Sequence, residues 1–378
     1  MGRYAIDVTA CWRPQRVGMS TVATELTKAL VAAGTRDRFV LLCSRDRPES
    51  MRGLDCDAFF SPYRHELALK SRWIPKIEPQ LEADAILYPY WPSPPFRRAG
   101  APPAVVFVHD VAFRLTPAEV PWQQRLYFRA VLPRALHHAA AVIVPSETTR
   151  DDVLRLYPAA QLKERIHVIP EGLPPAVLPG PLPEGLEPGF LLAVGTVEPR
   201  KNYPRLLAAY RQLRGRALPF IINGRPGVPQ LVIAGRPGWA YGDTLQRIQA
   251  EPGVKYVGHV DDATLEALYR SASLLVFPSL YEGFGLPLLE AMAHGLPAVI
   301  GTAGALPELA GESALAVDAT NPNAIAGALE RLLADESLRA GLGEEGRRRA
   351  RSYTWETAAE RTLEVLHGVG AKKQEKAA

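Results

Sequence analysis

Short apolar runs alternate with helix-period stretches twice along this chain, and that alternation restricts it to folds built on parallel sheets. In the first half, Tyr4–Val8, Phe39–Cys43, Ala85–Tyr88, Ala104–Val108 and Ala141–Val144 read as strands. Ser20–Ala33 places Val22, Leu26, Ala29 and Leu30 on one helical face, with Gly34 past its end. Gln123–His138 reads as a long helix that Pro133 should kink or split, and Thr116–Glu119 matches a capping box with proline at the first helical position. Between Pro174 and Pro183 the prolines are too dense for a helix or a central strand, which marks a linker. The alternation then restarts with strands Phe190–Val194, Gln230–Ala234, Lys255–Val257, Leu274–Phe277 and Ala298–Ile300. Helices are expected at Pro204–Leu213, Asp243–Ala250, Ala263–Ser271, Pro287–His294 and Asn323–Ala334. A last helix, Trp355–His367, has no strand after it, and the polar tail Ala371–Ala378 is expected to fray.

The predicted architecture is α/β, with two Rossmann-like domains facing across a cleft and a C-terminal helix that crosses back to the first domain. The expected boundaries are 1–175, a linker at 176–188, 189–352, and a helix and tail at 353–378. The length of 378 residues is enough for two such domains. No apolar run approaches the roughly 18–20 residues of a membrane span, and the first residues do not read as a signal peptide. Cys11, Cys43 and Cys56 form neither a CxxC pair nor a metal spacing, so the chain reads as made for a reducing cytoplasm. Charge is uneven: the chain is basic up to Leu178 and about neutral after it. That suits an anionic partner, such as a phosphate-bearing acceptor or a membrane surface, but a solvated basic face gives the same count. No nucleic-acid partner is expected.

The sharpest segment runs from Phe277 to Pro297, FPSLYEGFGLPLLEAMAHGLP. It reads as a strand, a glycine-bearing turn and a helix that starts at Pro287 and ends at Gly295. Gly283 and Gly285 let the backbone approach a ligand, and the helix start offers free N–H groups to an anion such as a diphosphate. Glu282 and Glu290 stand eight positions apart, each able to accept hydrogen bonds from a sugar diol. Two solvated glutamates would be the plain alternative for that spacing alone. A second segment, VGTVEPRKNYP from Val194, follows a strand and precedes a helix, so it lies at the carboxyl end of a sheet. Arg200 and Lys201 put two cations there, where negative charge growing on a departing diphosphate would be stabilised.

These segments resemble glycosyltransferase family four, the retaining enzymes of the GT-B fold. Glu282 to Glu290 matches the family's E-x7-E motif, and the second segment, from Val194, is similar to the EPRKN variant found among mannosyltransferases. The resemblance implies that Glu282 faces the donor sugar and Glu290 the ribose, with Gly283, Phe284, Gly285 and Leu286 holding sugar and phosphate through the backbone. It assigns Arg200 and Lys201 to the diphosphate. Thr196 stands where other members carry an arginine after the glycine, which shifts more of that load to Arg200. Gly195 and Gly235 resemble family strand ends near the nucleotide, and His259 and Val260 would lie beside the base. His294 departs from the small residue common at its place and reads as a packing variation.

In the first half, His109 and Asp110 end a buried strand, and similar members place this histidine near the transferred sugar; a structural histidine is the alternative. Gly18, in a short Val17–Ser20 loop, resembles the family's glycine loop near donor or acceptor. Ser146 reads as a helix cap, and Asp262 as the cap of the helix from Ala263. Asp55-Cys56-Asp57 is a weak match to a metal motif of another glycosyltransferase fold.

The resemblance implies transfer of a hexose, mannose from GDP-mannose foremost, with retention and with no metal or other cofactor. The donor's own phosphate would take the acceptor proton, and closure about the linker would bring His109 to the donor. UDP-hexose or dTDP-rhamnose donors, and a catalytically silent nucleotide-sugar-binding subunit, are the competing readings. The acceptor would be a glycan or a lipid-linked sugar. The basic-aromatic stretches Tyr63–Lys76 and Tyr88–Arg98 would supply peripheral contact with an anionic membrane at the inner face, or else form an ordinary folded surface. A dinucleotide oxidoreductase is disfavoured, because no G-x-G-x-x-G follows Tyr4–Val8.

Overall fold

The computed structural model describes residues 1–11, 18–63, 65, 68–90, 92–159, 161–216, 221–222, 225–239 and 242–377. The chain forms two units: 1–111, 126–174 and 353–378 make up the first, 112–125 and 175–352 the second.

The first unit carries a seven-stranded sheet of β1 (Arg3–Asp7), β2 (Arg38–Cys43), β3 (Asp57–Phe60), β4 (Ala85–Tyr88), β5 (Ala104–Phe107), β6 (Ala141–Val144) and β7 (Ile166–Val168). Its order is β3-β2-β1-β4-β5-β6-β7, with every pairing parallel. The central strands are buried on both faces, which is why they read as unbroken apolar runs rather than alternating ones. The chain order turns back between β1 and β4, the position where open α/β sheets bind ligands beyond their carboxyl ends.

The second unit repeats this plan. Its main strands are β8 (Leu191–Val194), β11 (Leu231–Ala234), β12 (Val254–Gly258), β13 (Leu274–Phe277), β14 (Ala298–Gly301) and β15 (Ala314–Val317). A small antiparallel ribbon, β9 (Ile221–Ile222) and β10 (Arg225–Pro226), lies outside the main sheet. The order β12-β11-β8-β13-β14-β15 is again parallel throughout and turns back between β8 and β13. Leu206, Leu207, Tyr210 and Leu213 of the helix Tyr203–Arg214 pack into one core with Ile325, Leu329 and Leu332 of the helix Pro322–Ala334.

The last helix returns to the first unit, as expected, but it runs from Trp355 to Ala377, so the tail does not fray at Ala371. It is held there by His367 Nε2 on Asp37 Oδ2 at 2.8 Å, Arg361 on the Val168 carbonyl at 2.7 Å and Lys373 on the Ala83 carbonyl at 2.7 Å. Three further expectations change. Pro133 neither splits nor ends the helix Trp122–His138. It lies on the exposed face with Arg129, where solvent can serve the carbonyl that a proline leaves without a donor. Thr116 makes no cap: Pro117–Glu119 is one 3₁₀ turn, and the Thr116 hydroxyl donates to the Ala112 carbonyl. Asp261, not Asp262, caps the helix Asp262–Ser271, accepting from the Thr264 N–H at 2.8 Å. Ser146 does cap the helix Glu147–Leu156, accepting from the Thr149 N–H at 3.0 Å.

The aromatic residues of the two basic-aromatic stretches are mostly core: Trp73, Tyr88 and Tyr90 are buried, whereas Tyr63 and Phe96 are exposed. Residues 64, 66, 67 and 91 of those stretches lie outside the described residues, as does Val17 of the short loop before Gly18. Among the described residues, no helix is long and apolar enough to cross a membrane.

Candidate functional site

The second unit gathers its charged residues where β8 and β13 diverge. β8 ends at Val194, and Gly195 then takes a φ of +148°, a region that side chains rarely adopt. The 3₁₀ turn Pro199–Lys201 follows and closes on Asn202 at φ +63°, a left-handed position asparagine tolerates. Asn202 is 1% exposed and donates to the carbonyls of Pro278 at 3.0 Å and Ala319 at 2.7 Å. The Leu280 N–H reaches the Arg200 carbonyl at 2.8 Å. The turn after β8 is thus fastened to the segment leaving β13, and their side chains must meet.

They meet at Glu282, 81 residues beyond Lys201 in the chain. Lys201 Nζ lies 2.6 Å from Glu282 Oε1, while Arg200 Nη1 pairs with Oε2 and also donates to the Tyr281 carbonyl at 2.8 Å. Arg200 Nη2 holds Glu198 Oε1 at 2.9 Å. Lys201 Nζ stands 4.6 Å from the centre of the Phe277 ring, a cation–π contact. Burial pushes the Glu282 carboxyl up, but Arg200 and Lys201 outweigh it and hold the group at about 2. Burial raises Glu198, against the pull of the same two cations. The cluster is two fixed cations and two buried acids at the carboxyl edge of a parallel sheet.

Glycine shapes this edge. A Cβ on Gly195 would stand 3.1 Å from Lys201 Cε, and one on Gly235, at φ +154°, would overlap the Gly195 carbonyl oxygen. The Gly235 N–H reaches the Gly258 carbonyl at 2.7 Å, so the ends of β8, β11 and β12 form one tight row. His259 and Val260 follow directly, with His259 exposed and Val260 half-buried. Gly235→Ala is therefore expected to cost about 1–3 kcal/mol, the scale of overpacking. Gly327, which sits in a helix with open space around it, should gain stability as alanine. Urea unfolding of the two variants checks both signs.

The turn Glu282–Gly285 is buried, and Gly285, at φ +118°, precedes the helix Leu286–Ala293. That helix starts one residue before Pro287, which becomes its second residue; Gly295, at φ +65°, ends it as expected. Glu290 Oε2 accepts from the Tyr269 hydroxyl at 2.7 Å. Burial is the main cause that pushes the Glu290 carboxyl up to about 7; Tyr269 and His294 oppose it, and Asp262 and Glu266 add to it. His294 is more than a packing residue: its ring stacks on Tyr269 at 5.4 Å, with Nδ1 2.8 Å from the Glu290 carbonyl and Nε2 3.0 Å from Glu266 Oε2.

His109, Asp110 and Gly18 belong to the first unit. His109 stacks on Phe107 at 4.5 Å, and both ring nitrogens face protein atoms: Nε2 the Pro89 carbonyl at 2.8 Å and Nδ1 Glu171 Oε1 at 3.3 Å. Asp110 is half-buried, and Gly18 is an exposed first helical residue with open space around it. Asp55 and Asp57 are exposed, and among the described residues no group of three His, Cys, Asp or Glu side chains is placed to hold a metal. The sequence reading missed Glu171, Glu198, Asn202 and Tyr269. Only Glu198 and Asn202 carried a local signal, since they flank the two cations in the EPRKN run.

Residues 17–177 match the family described as Glycosyltransferase Family 4, and residues 179–349 match Glycosyl transferases group 1. O-antigen chain mannosyltransferase B of Escherichia coli is 32% identical over 271 residues, which span 69% of this chain and 69% of that one. The MMP alpha-(1->4)-mannosyltransferase of Mycolicibacterium hassiacum is 32% identical over 281 residues, 70% of this chain and 64% of the relative. Among solved structures, sucrose-phosphate synthase from Thermosynechococcus elongatus superposes with a TM-score of 0.75 at 22% identity, covering 98% of this chain and all of that one. Anabaena HepE in complex with UDP and glucose gives 0.69 at 19% identity, covering 97% and 99%. At these identities the two structures share the fold.

Proposed function

The chain belongs to glycosyltransferase family four, with the GT-B fold, and from that premise we propose that it moves mannose from GDP-mannose to a glycan or lipid-linked acceptor, with retention and without a metal. The observation that carries this reading is the meeting of Arg200 and Lys201 with Glu282 at the carboxyl edge of the second sheet. Two fixed cations there are suited to a diphosphate leaving group, whose charge grows as the glycosidic bond breaks. The helix from Leu286 adds the positive end of its dipole at its start. The mannosyltransferase names of the two relatives and the EPRKN run favour mannose. The guanine base and the acceptor class rest on the family resemblance.

In this reading Glu282 faces the donor sugar, Glu290 takes the ribose hydroxyls, and Gly195, Gly235, His259 and Val260 line the nucleotide. The donor phosphate accepts the acceptor's proton on the face from which the leaving group departs. Arg200 and Lys201 keep that phosphate from pulling back. Thermal shift with GDP-mannose, UDP-glucose, UDP-galactose and dTDP-rhamnose tests the donor, since a ligand at 100 times its Kd adds about 2.7 kcal/mol. A shift with UDP-hexoses alone would overturn the mannose assignment. Product anomer by NMR tests retention, and full turnover in EDTA tests metal independence.

Donor affinity should depend on pH through Glu290. A carboxyl held near 7 is protonated below that pH and accepts poorly from a ribose diol. Kd for GDP should therefore rise as pH falls from 8 to 6, and Glu290→Gln should flatten the profile. A parallel slope in both proteins would remove Glu290 from the ribose.

A further inference from the structure

In the first unit, His109 stands between two acceptor groups, the Pro89 carbonyl and the Glu171 carboxyl. The Pro89 carbonyl can only accept, so at 2.8 Å the His109 Nε2 must carry hydrogen. A neutral ring would then aim the Nδ1 lone pair at Glu171 Oε1, 3.3 Å away. Two acceptors cannot share that line without a proton between them. Solvent does little to relieve this, because the two side chains are 10% and 7% exposed.

The pair is also fixed in place. Stacking on Phe107 sets the plane of the ring. The backbone that bears Glu171 is clamped from the other side, since a Cβ on Gly172 would overlap the backbone nitrogen of Trp355 at the start of the last helix. The ring plane of His109 and the backbone of Glu171 are thus each held by packing.

We propose that Glu171 is a positioning residue that holds the His109 ring as an imidazolium, both nitrogens donating, at the carboxyl end of β5. This rests on the reading of His109 as a group that meets the transferred sugar. With both nitrogens engaged by the protein, His109 does not shuttle a proton. It presents a ring of fixed plane and fixed charge, and Glu171 supplies the counter-charge that keeps that charge in a buried place.

Glu171→Gln separates position from charge. The amide keeps the size of the side chain and can donate to Nδ1, which leaves a neutral ring protonated at Nε2 alone. Nitrogen-15 NMR of histidine-labelled full-length protein, with the His109 signal assigned by its loss in His109→Gln, reads the ring directly. The expected result at pH 7 is a doubly protonated ring in the wild type and a singly protonated one in Glu171→Gln. With the donor that the thermal-shift panel identifies, kcat should fall about 100-fold at unchanged donor KM, because the ring keeps its place but loses its charge, a loss on the scale of one electrostatic donor. A ring doubly protonated in the variant, a singly protonated ring in the wild type, or an unchanged kcat would each overturn the proposal. A wild type with no nucleotide-sugar turnover would instead count against the reading of the function, and the NMR comparison would still decide whether Glu171 sets the ring's charge.

Discussion

Glu282→Gln is expected to destabilise the ligand-free chain by about 3–5 kcal/mol at pH 7, the cost of removing one partner from a buried ion pair. Glu282 is 7% exposed, and its two oxygens take one cation each. The glutamine fits the same space but leaves the charge of Lys201 facing an amide dipole. Arg200 loses less, because Glu198 still holds its other nitrogen at 2.9 Å. The pH dependence gives an internal check. Glu282 is depressed from an ordinary 4.5 to about 2, so its contribution is complete above 4.5 and is lost as pH falls through about 2. The stability gap between wild type and variant should therefore narrow as urea titrations move from pH 5 toward pH 2. A variant as stable as wild type at pH 7 would mean that the carboxylate does not stabilise the cluster.

The same substitution should change the response to nucleotide. In the ligand-free chain the Glu282 carboxylate already neutralises the cations proposed for the diphosphate. GDP brings its own negative charge to them, so it should raise the Tm of Glu282→Gln by more than it raises that of wild type. An equal shift in both would mean that the diphosphate does not bind at Arg200 and Lys201.

How much of this could be read from the sequence depended on where each element sits. The inner strands of both sheets are buried on both faces, and their apolar runs announced them. The edge strands β3, β7 and β15 were not read; β3 and β7 are short runs that carry Asp57 and His167, and the four apolar residues of β15 do not by themselves mark a strand. The helix Glu336–Ala350 was hidden by its composition: it is strongly charged and contains Gly341, Gly343 and Gly346. Two of those glycines serve close packing, since a Cβ on Gly343 would overlap the Gly295 carbonyl and one on Gly346 would stand 3.3 Å from Met292 Cα. At the candidate site, the motif residues were visible because each sits at a strand end with local turn chemistry. Their partners were not. Glu282 and Lys201 are 81 residues apart, and Glu171 and His109 are 62 apart; only the order of strands in the sheet brings such pairs together. The family resemblance named the two cations and the glutamate separately, without indicating that they neutralise one another in the ligand-free chain.

Lys201→Ala is expected to lower kcat by about 10²–10³, or about 2.7–4 kcal/mol of barrier, by analogy with removing one donor that meets developing negative charge. The lysine is placed for such a role. Its side chain is 11% exposed, its stem lies against Gly195, and its ammonium stands between Glu282 and the Phe277 ring. A charge fixed this way needs little reorganisation when the leaving phosphate develops its own. Lys201→Arg should not restore the rate, because the stem crosses Gly195 too closely for the wider guanidinium to take the same path. Stability must be followed alongside, since alanine leaves the buried Glu282 with Arg200 alone. Measuring kcat well below each protein's Tm separates the two effects, and a donor KM that changes less than kcat identifies the loss as one of transition-state stabilisation. An unchanged kcat in a folded Lys201→Ala protein would take the lysine out of the reaction and leave Arg200 as the diphosphate's cation.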